Sequence, residues 1–78
     1  MMEKAIVLIN VDPRLERLVL REIRSIRGVK QANYIYGPYD IAAKIEVETM
    51  DELQDTILNR IRDLYGVSTT MTCYIYDS

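Results

Sequence analysis

Gly37, Pro38, Tyr39 and Asp40 place a carboxylate, a phenol and an unshielded glycine peptide within four residues of one another. Glycine accepts positive φ, and proline fixes φ while removing a backbone donor, so the first two residues mark a turn. A turn needs neither Tyr39 nor Asp40, and the set as it stands could contact a small polar molecule. The alternative is an Asx-type turn in which Asp40 only caps its own loop. The residue types leave both readings open. Elsewhere the chemistry is thin. The chain has no His, Trp or Phe and a single cysteine, Cys73. Nucleophile–base pairs and zinc spacings therefore cannot be assembled. The carboxylates Glu3, Asp12, Asp40 and Asp77 fall near strand ends, but no spacing pairs them. The expectation is a protein that is not an enzyme and holds no metal or cofactor.

The loop must be positioned by the segments on either side. Ala32–Tyr36 and Ile41–Val47 are short and rich in β-branched or aromatic residues, which predicts two strands joined as a hairpin. Upstream, Ala5–Val11 predicts a first strand, followed by Asp12 as N-cap and Pro13 at the first helical position. Leu15, Leu18, Val19, Ile23 and Ile26 form one apolar helical stripe that Gly28 closes as C-cap. Downstream, Thr49 and Glu52 have capping-box spacing, and Leu53, Ile57, Ile61 and Leu64 make a second stripe ending at Gly66. A last strand is predicted from about Thr69 to Tyr76.

Gly28 and Gly66 stand 38 residues apart, and the same offset relates Val7 to Ile45, Leu15 to Leu53, Val19 to Ile57, Ile23 to Ile61 and Val29 to Val67. One βαβ unit used twice gives an α+β, ferredoxin-like βαββαβ fold (split βαβ), with strand order 4-1-3-2 and both helices on one face. It occupies residues 1–78 as a single domain with room for one core.

Alternation decides which residues face the helices. Ile41, Ala43, Ile45 and Val47 point inward, and the repeat places Ala5, Val7, Ile9 and Val11 with them. Carried onto the last strand, alternation puts Met71, Cys73 and Ile75 inside, with Cys73 a small core residue. The open face then receives Ile6, Leu8, Ala32, Tyr34, Tyr36, Thr70, Thr72, Tyr74 and Tyr76, too apolar a surface to leave in water. RNA-recognition modules stack bases on such a sheet, but they need aromatics on the two central strands. Here those strands offer Ile6, Leu8, Asn10, Ala42, Lys44 and Glu46. A second copy packed face to face is the better cover, with Ile6, Leu8, Tyr34, Tyr36, Tyr74 and Tyr76 as the dimer interface.

The net charge of −2 opposes binding nucleic acid through overall charge. One cysteine suits a reducing compartment, no signal peptide is visible, and the longest apolar run is far below the ~20 residues of a membrane span. A cytoplasmic protein with no membrane partner is expected.

These features resemble a known family. Ile26-Arg27-Gly28-Val29, Gly37-Pro38-Tyr39-Asp40, Leu64-Tyr65-Gly66-Val67 and Thr70-Met71-Thr72 occur in the order and spacing of the effector-binding (RAM) domain of the Lrp/AsnC feast/famine transcription regulators. The resemblance covers essentially the whole chain. It implies a domain that dimerises through its sheet and assembles into a ring such as an octamer or decamer, holding a free amino acid where dimers meet. Gly37, Tyr39 and Asp40, with Thr70 and Thr72, are carried over as ligand-binding residues. In that reading Asp40 neutralises the ligand ammonium, loop N–H groups receive its carboxylate, and Tyr39 walls the side-chain pocket. Thr70 and Thr72 are equally well ordinary strand residues. The family often has Thr before the loop glycine, where this chain has Tyr36. No helix-turn-helix precedes the first strand, so the expectation is a stand-alone module without direct DNA binding. It would sense an amino acid on behalf of a full-length Lrp-like regulator or an enzyme, or serve purely as an oligomerisation module.

Overall fold

The computed structural model describes residues 2–76; Asp77, one of the carboxylates considered above, lies outside them. The elements are β1 (Glu3–Val11), α1 (Glu16–Arg24), β2 (Val29–Tyr34), β3 (Ile41–Val47), α2 (Met50–Asp55) with a π-helical continuation over Thr56–Ile61, and β4 (Val67–Ile75). The strands form one antiparallel sheet ordered β2-β3-β1-β4. This is the expected βαββαβ arrangement, with β1 and β3 central. The side chains of Val7, Ile9, Ile41 and Ile45 from these strands are fully buried against Val19, Ile23, Leu53 and Ile61 of the helical layer. Among the described residues, no helix is long and apolar enough to cross a membrane.

Helix boundaries differ from the pattern-based reading in informative ways. Asp12 does cap, but it caps a turn ahead of the helix. Its Oδ1 accepts the Arg14 N–H at 2.9 Å, its carbonyl accepts the Leu15 N–H at 2.8 Å, and α1 proper starts at Glu16. At the other end α1 stops at Arg24, and Gly28 is not its C-cap. Gly28, with φ +98°, lies instead in the turn closed by the Val29 N–H on the Ile26 carbonyl. On α1 the residues turned to the sheet are Val19, Leu20 and Ile23, whereas Leu18, assigned to the stripe, is 38% exposed. α2 opens as expected, with Thr49 Oγ1 accepting the Glu52 N–H at 3.1 Å. It then widens. Thr56 Oγ1 donates to the Glu52 carbonyl at 2.9 Å, and the Arg62 N–H reaches the Ile57 carbonyl, five residues back.

Asp12 is also held by the Arg14 guanidinium, which donates to its Oδ2 at 2.8 Å. The Arg14 side-chain hydrogen bonding, with the Arg14 backbone N–H and the guanidinium charge, lowers the Asp12 pKa from 3.8 to about 2. A depressed carboxylate stabilises the fold above its unfolded value, and this contribution is lost as pH falls from 3.8 toward 2. The NMR titration midpoint of the Asp12 carboxyl carbon is expected near 2, moving up toward 3.8 in Arg14→Ala. An unshifted midpoint in the variant refutes the pairing.

Both edge strands carry a bulge at the same place in the repeat. On β2, Val29 pairs with Ile45 but Gln31 pairs with Lys44, leaving Lys30 as an extra residue. On β4, Val67 pairs with Val11 but Thr69 pairs with Asn10, leaving Ser68 extra. Ser68 Oγ donates to the Asn10 carbonyl, and Asn10 Nδ2 donates to Thr69 Oγ1, both at 3.0 Å. One extra residue exchanges the two faces for everything downstream. Ala32 and Tyr34 therefore pair with Ala43 and Ile41, and Thr70, Thr72 and Tyr74 pair with Ile9, Val7 and Ala5. All of these lie on the helix side.

The face assignments of the edge strands are thus corrected. Met71, Cys73 and Ile75 pair with Leu8, Ile6 and Lys4 on the open face, and Cys73 is exposed there rather than buried in the core. Tyr34 and Tyr74 do not lie on the open face. Tyr36 sits in the loop, wholly exposed, and Tyr76 follows the end of β4. Of the six residues assigned to a sheet-face interface, only Ile6 and Leu8 are on that face. Among the described residues the open face carries no aromatic side chain within the strands, whereas RNA-recognition sheets stack bases on such side chains.

Candidate functional site

The β2–β3 connector is short, and Asp40 ties it down. Its carbonyl accepts the Ile35 N–H at 2.9 Å across the loop, and its own N–H donates to the Ile9 carbonyl at 3.0 Å. Its Oδ2 accepts the Val11 N–H at 3.0 Å. Asp40 therefore closes the hairpin and anchors it to the end of β1. The Asx-type reading, in which Asp40 only caps its own loop, is corrected: the side chain holds the Val11 N–H of a neighbouring strand. Oδ1 has no hydrogen-bond partner among the described residues. Gly37 adopts φ +128°, and a Cβ built there meets nothing within 4 Å, so its peptide is open to solvent.

Gly37 and Asp40 line a shallow concavity of about 450 Å³ together with Glu16, Tyr34, Ile35 and Tyr36. Glu16 was not anticipated. It belongs to the first turn of α1, which only the fold brings beside the loop. Tyr39 is half-buried and is not among the lining residues.

Thr70 and Thr72 occupy a second groove, about 620 Å³, between β4 and the π-helical segment. Ile57, Leu58, Arg62 and Asp63 form its helical wall, and Tyr74 continues the row of hydroxyls. The groove exists because α2 lies over β1 and β3, leaving the helix side of β4 only partly covered. Within one chain the two groups of residues expected to bind a ligand are not brought together. The loop concavity adjoins the β2 margin, and Thr70 and Thr72 stand on β4, the opposite margin of the sheet. Arg62 was also missed by sequence reasoning, since it follows the apolar stripe and only the groove gives it a role. No cluster of three metal-ligating side chains occurs among the described residues.

Comparison with known proteins places this geometry. The chain is 29% identical over 77 residues to an uncharacterized HTH-type transcriptional regulator of Pyrococcus abyssi, covering 95% of this chain and 51% of that protein. It is 42% identical over 57 residues to homocitrate synthase of Sulfurisphaera tokodaii, covering 73% of this chain and 12% of the enzyme. The chain thus spans about half the length of the regulator and a small part of the enzyme. Among solved structures it superposes on TTHA0845 of Thermus thermophilus with a TM-score of 0.92 at 26% identity, covering 97% of this chain and 95% of that one. The fold recurs in the complex of transcriptional regulator NMB0573 of Neisseria meningitidis with L-Met, at a TM-score of 0.86 and 12% identity, over 96% of this chain and 50% of that one. The family model described as the Lrp/AsnC ligand binding domain matches residues 4–78. By that match across nearly its whole length, the chain belongs to the Lrp/AsnC ligand-binding-domain family.

Proposed function

We propose that this protein is an amino-acid-sensing module whose ligand site is shared by two copies. Asp40 carries the reading. One of its carboxylate oxygens is fixed by the Val11 N–H, while the other has no partner among the described residues, at a margin shared with Glu16. Two carboxylates beside an open glycine peptide suit a ligand with an ammonium and a carboxylate on one carbon: the acids take the cation, and the Gly37 peptide offers a donor to the anion. Each concavity is shallow and exposed by itself, so a second copy is needed to enclose the ligand. The hydroxyls of Thr70 and Thr72 and the Arg62 guanidinium on the opposite margin supply that complementary half.

The family description and the L-Met complex of a protein sharing the fold support this ligand class. The partial match to homocitrate synthase fits a regulatory unit that serves enzymes as well as DNA-binding proteins. The whole protein's role would be to report an amino acid level to a full-length regulator or an enzyme, without contacting DNA itself. The competing reading, a pure assembly module, draws on the structural work Asp40 already performs in the hairpin.

Asp40→Asn separates the two. The amide keeps an acceptor for the Val11 N–H, so the unliganded melting temperature should change little. A charge-assisted bond contributes about 1.5–3 kcal/mol, so affinity for the stabilising amino acid should fall roughly ten- to a hundredfold in calorimetric titration. If none of the twenty amino acids raises the melting temperature of the native chain, or if the variant binds equally well, the loop is structural and the assembly reading stands.

A further inference from the structure

Positive charge is concentrated on one stretch of the chain. Residues 14–30 hold six of the ten basic residues and two of the twelve acidic ones, on a chain of net charge −2. Arg14, Arg17, Arg21 and Arg24 recur at helical spacing along α1 and the turn before it. With Leu18 and Tyr34 they line a groove of about 680 Å³. The two acids of the stretch are turned elsewhere: Glu16 lines the Asp40 concavity, and Glu22 a groove shared with Asp55. Arg14 is committed to Asp12, and Arg24 Nε donates to the Ala32 carbonyl at 2.9 Å. Arg17 and Arg21 are both exposed and have no carboxylate partner among the described residues. Like charges one turn apart weaken a helix, so the fold gains nothing from this pair. Arg24 also lines a smaller depression with Lys30, Gln31 and Asn33, so the basic trough continues along β2.

We infer that this groove docks an extended acidic segment of a different protein, one with carboxylates at alternate positions and an apolar side chain beside them. Arg17 and Arg21 stand about 6 Å apart along the helix axis, and two residues of extended chain span about 6.6 Å. Carboxylates two positions apart on such a segment share one side, so each meets one unpaired guanidinium. Leu18, 38% exposed, and the ring of Tyr34, 47% exposed, take the apolar side chain. Arginine clusters recognise acidic motifs in this way. A nucleic acid fits less well, because it brings a charge with every nucleotide to a chain that is acidic outside this stretch. The groove is thus the surface through which the module meets the regulator or enzyme it serves. Tyr34 lines the Asp40 concavity too, so the docked segment lies beside that concavity. The docking itself stands on the arginines and the leucine and needs no amino acid ligand.

Fluorescence anisotropy on the full chain tests it, using a labelled synthetic peptide with glutamates at alternate positions and one leucine. The native chain should bind this peptide, and should not bind the same peptide with glutamine in place of each glutamate. Affinity should fall at least tenfold between about 0.1 M and about 1 M salt, as the screening length drops from about 10 Å to about 3 Å. Arg17→Glu with Arg21→Glu should abolish binding with an unchanged circular dichroism spectrum. If that pair misfolds, Arg17→Gln with Arg21→Gln takes its place and should weaken binding roughly tenfold. Leu18→Ala should weaken it about fivefold and leave its salt dependence as it was. Absence of binding at about 0.1 M salt overturns the inference, and so does an affinity unmoved by the arginine changes or by Leu18→Ala. Tighter binding of an oligothymidylate of equal charge overturns it in favour of nucleic acid. A mass that falls on charge reversal without peptide overturns it in favour of a second copy in the groove. The assay contains no amino acid, so its failure is distinct from a failure of the ligand reading.

Discussion

Replacing Leu8 with Asp is expected to convert the smallest stable species from a dimer to a monomer. Leu8 is half-buried on central β1, between Ala42 and Met71 across the ladder. Ile6 at 37% exposure, Met71 at 48% and the exposed Cys73 surround it on the face that no helix covers. A central strand showing that much apolar surface is stable in a small domain when a second sheet lies against it. A carboxylate at Leu8 would then be buried with no cation to meet it, costing several kcal/mol of association free energy. Light scattering should show the mass halved, while circular dichroism shows the strands intact. An unchanged mass in a folded variant means that the dimer does not form through this face.

The second large effect is expected at Gly66. Its φ is +98°, and a Cβ there would lie 2.8 Å from Val19 Cγ2 and 3.2 Å from Leu15 Cδ1. Gly66→Ala therefore combines left-handed strain, about 1–2 kcal/mol, with overpacking against a fully buried valine, about 1–3 kcal/mol. The loss should be roughly 2–5 kcal/mol in denaturant unfolding. Gly37→Ala is the informative comparison. Its φ is also positive, but the space around it is empty, so only the conformational cost of about 1–2 kcal/mol applies. Similar losses at the two glycines would mean that contact with Val19 contributes nothing.

How far the sequence carried depended on the range of the interactions involved. The element order, the sheet order and the central core followed from period-two and helical patterns in β1, β3 and the two helices, where local preference and burial agree. The capping by Thr49 was legible for the same reason. The edge strands were not, because one added residue at Lys30 and another at Ser68 reverse the alternation, and neither residue type announces a bulge. Val29 and Val67 pack against the core, and strict alternation counted past the extra residue that follows each of them inverts the faces of everything beyond it. That inversion moved Cys73 into the core and the tyrosines onto the wrong face. At the candidate site, Gly37 was legible as a turn residue, and Asp40 as a carboxylate that the turn does not require and the family resemblance singles out. Glu16 and Arg62 had no local signal, because each becomes part of a concavity only through long-range packing.

Lys4 pairs with Ile75, so the start of β1 and the end of β4 lie side by side. The turns at Gly28 and Gly66 share a φ of +98°, and the bulges at Lys30 and Ser68 repeat the same offset. A circular permutant of this domain that opens at Gly37–Pro38 and links the end of β4 to the start of β1 would run β3, α2, β4, β1, α1, β2. Its element order is again β-α-β-β-α-β, so the rearranged gene would encode the same topology with its two halves exchanged.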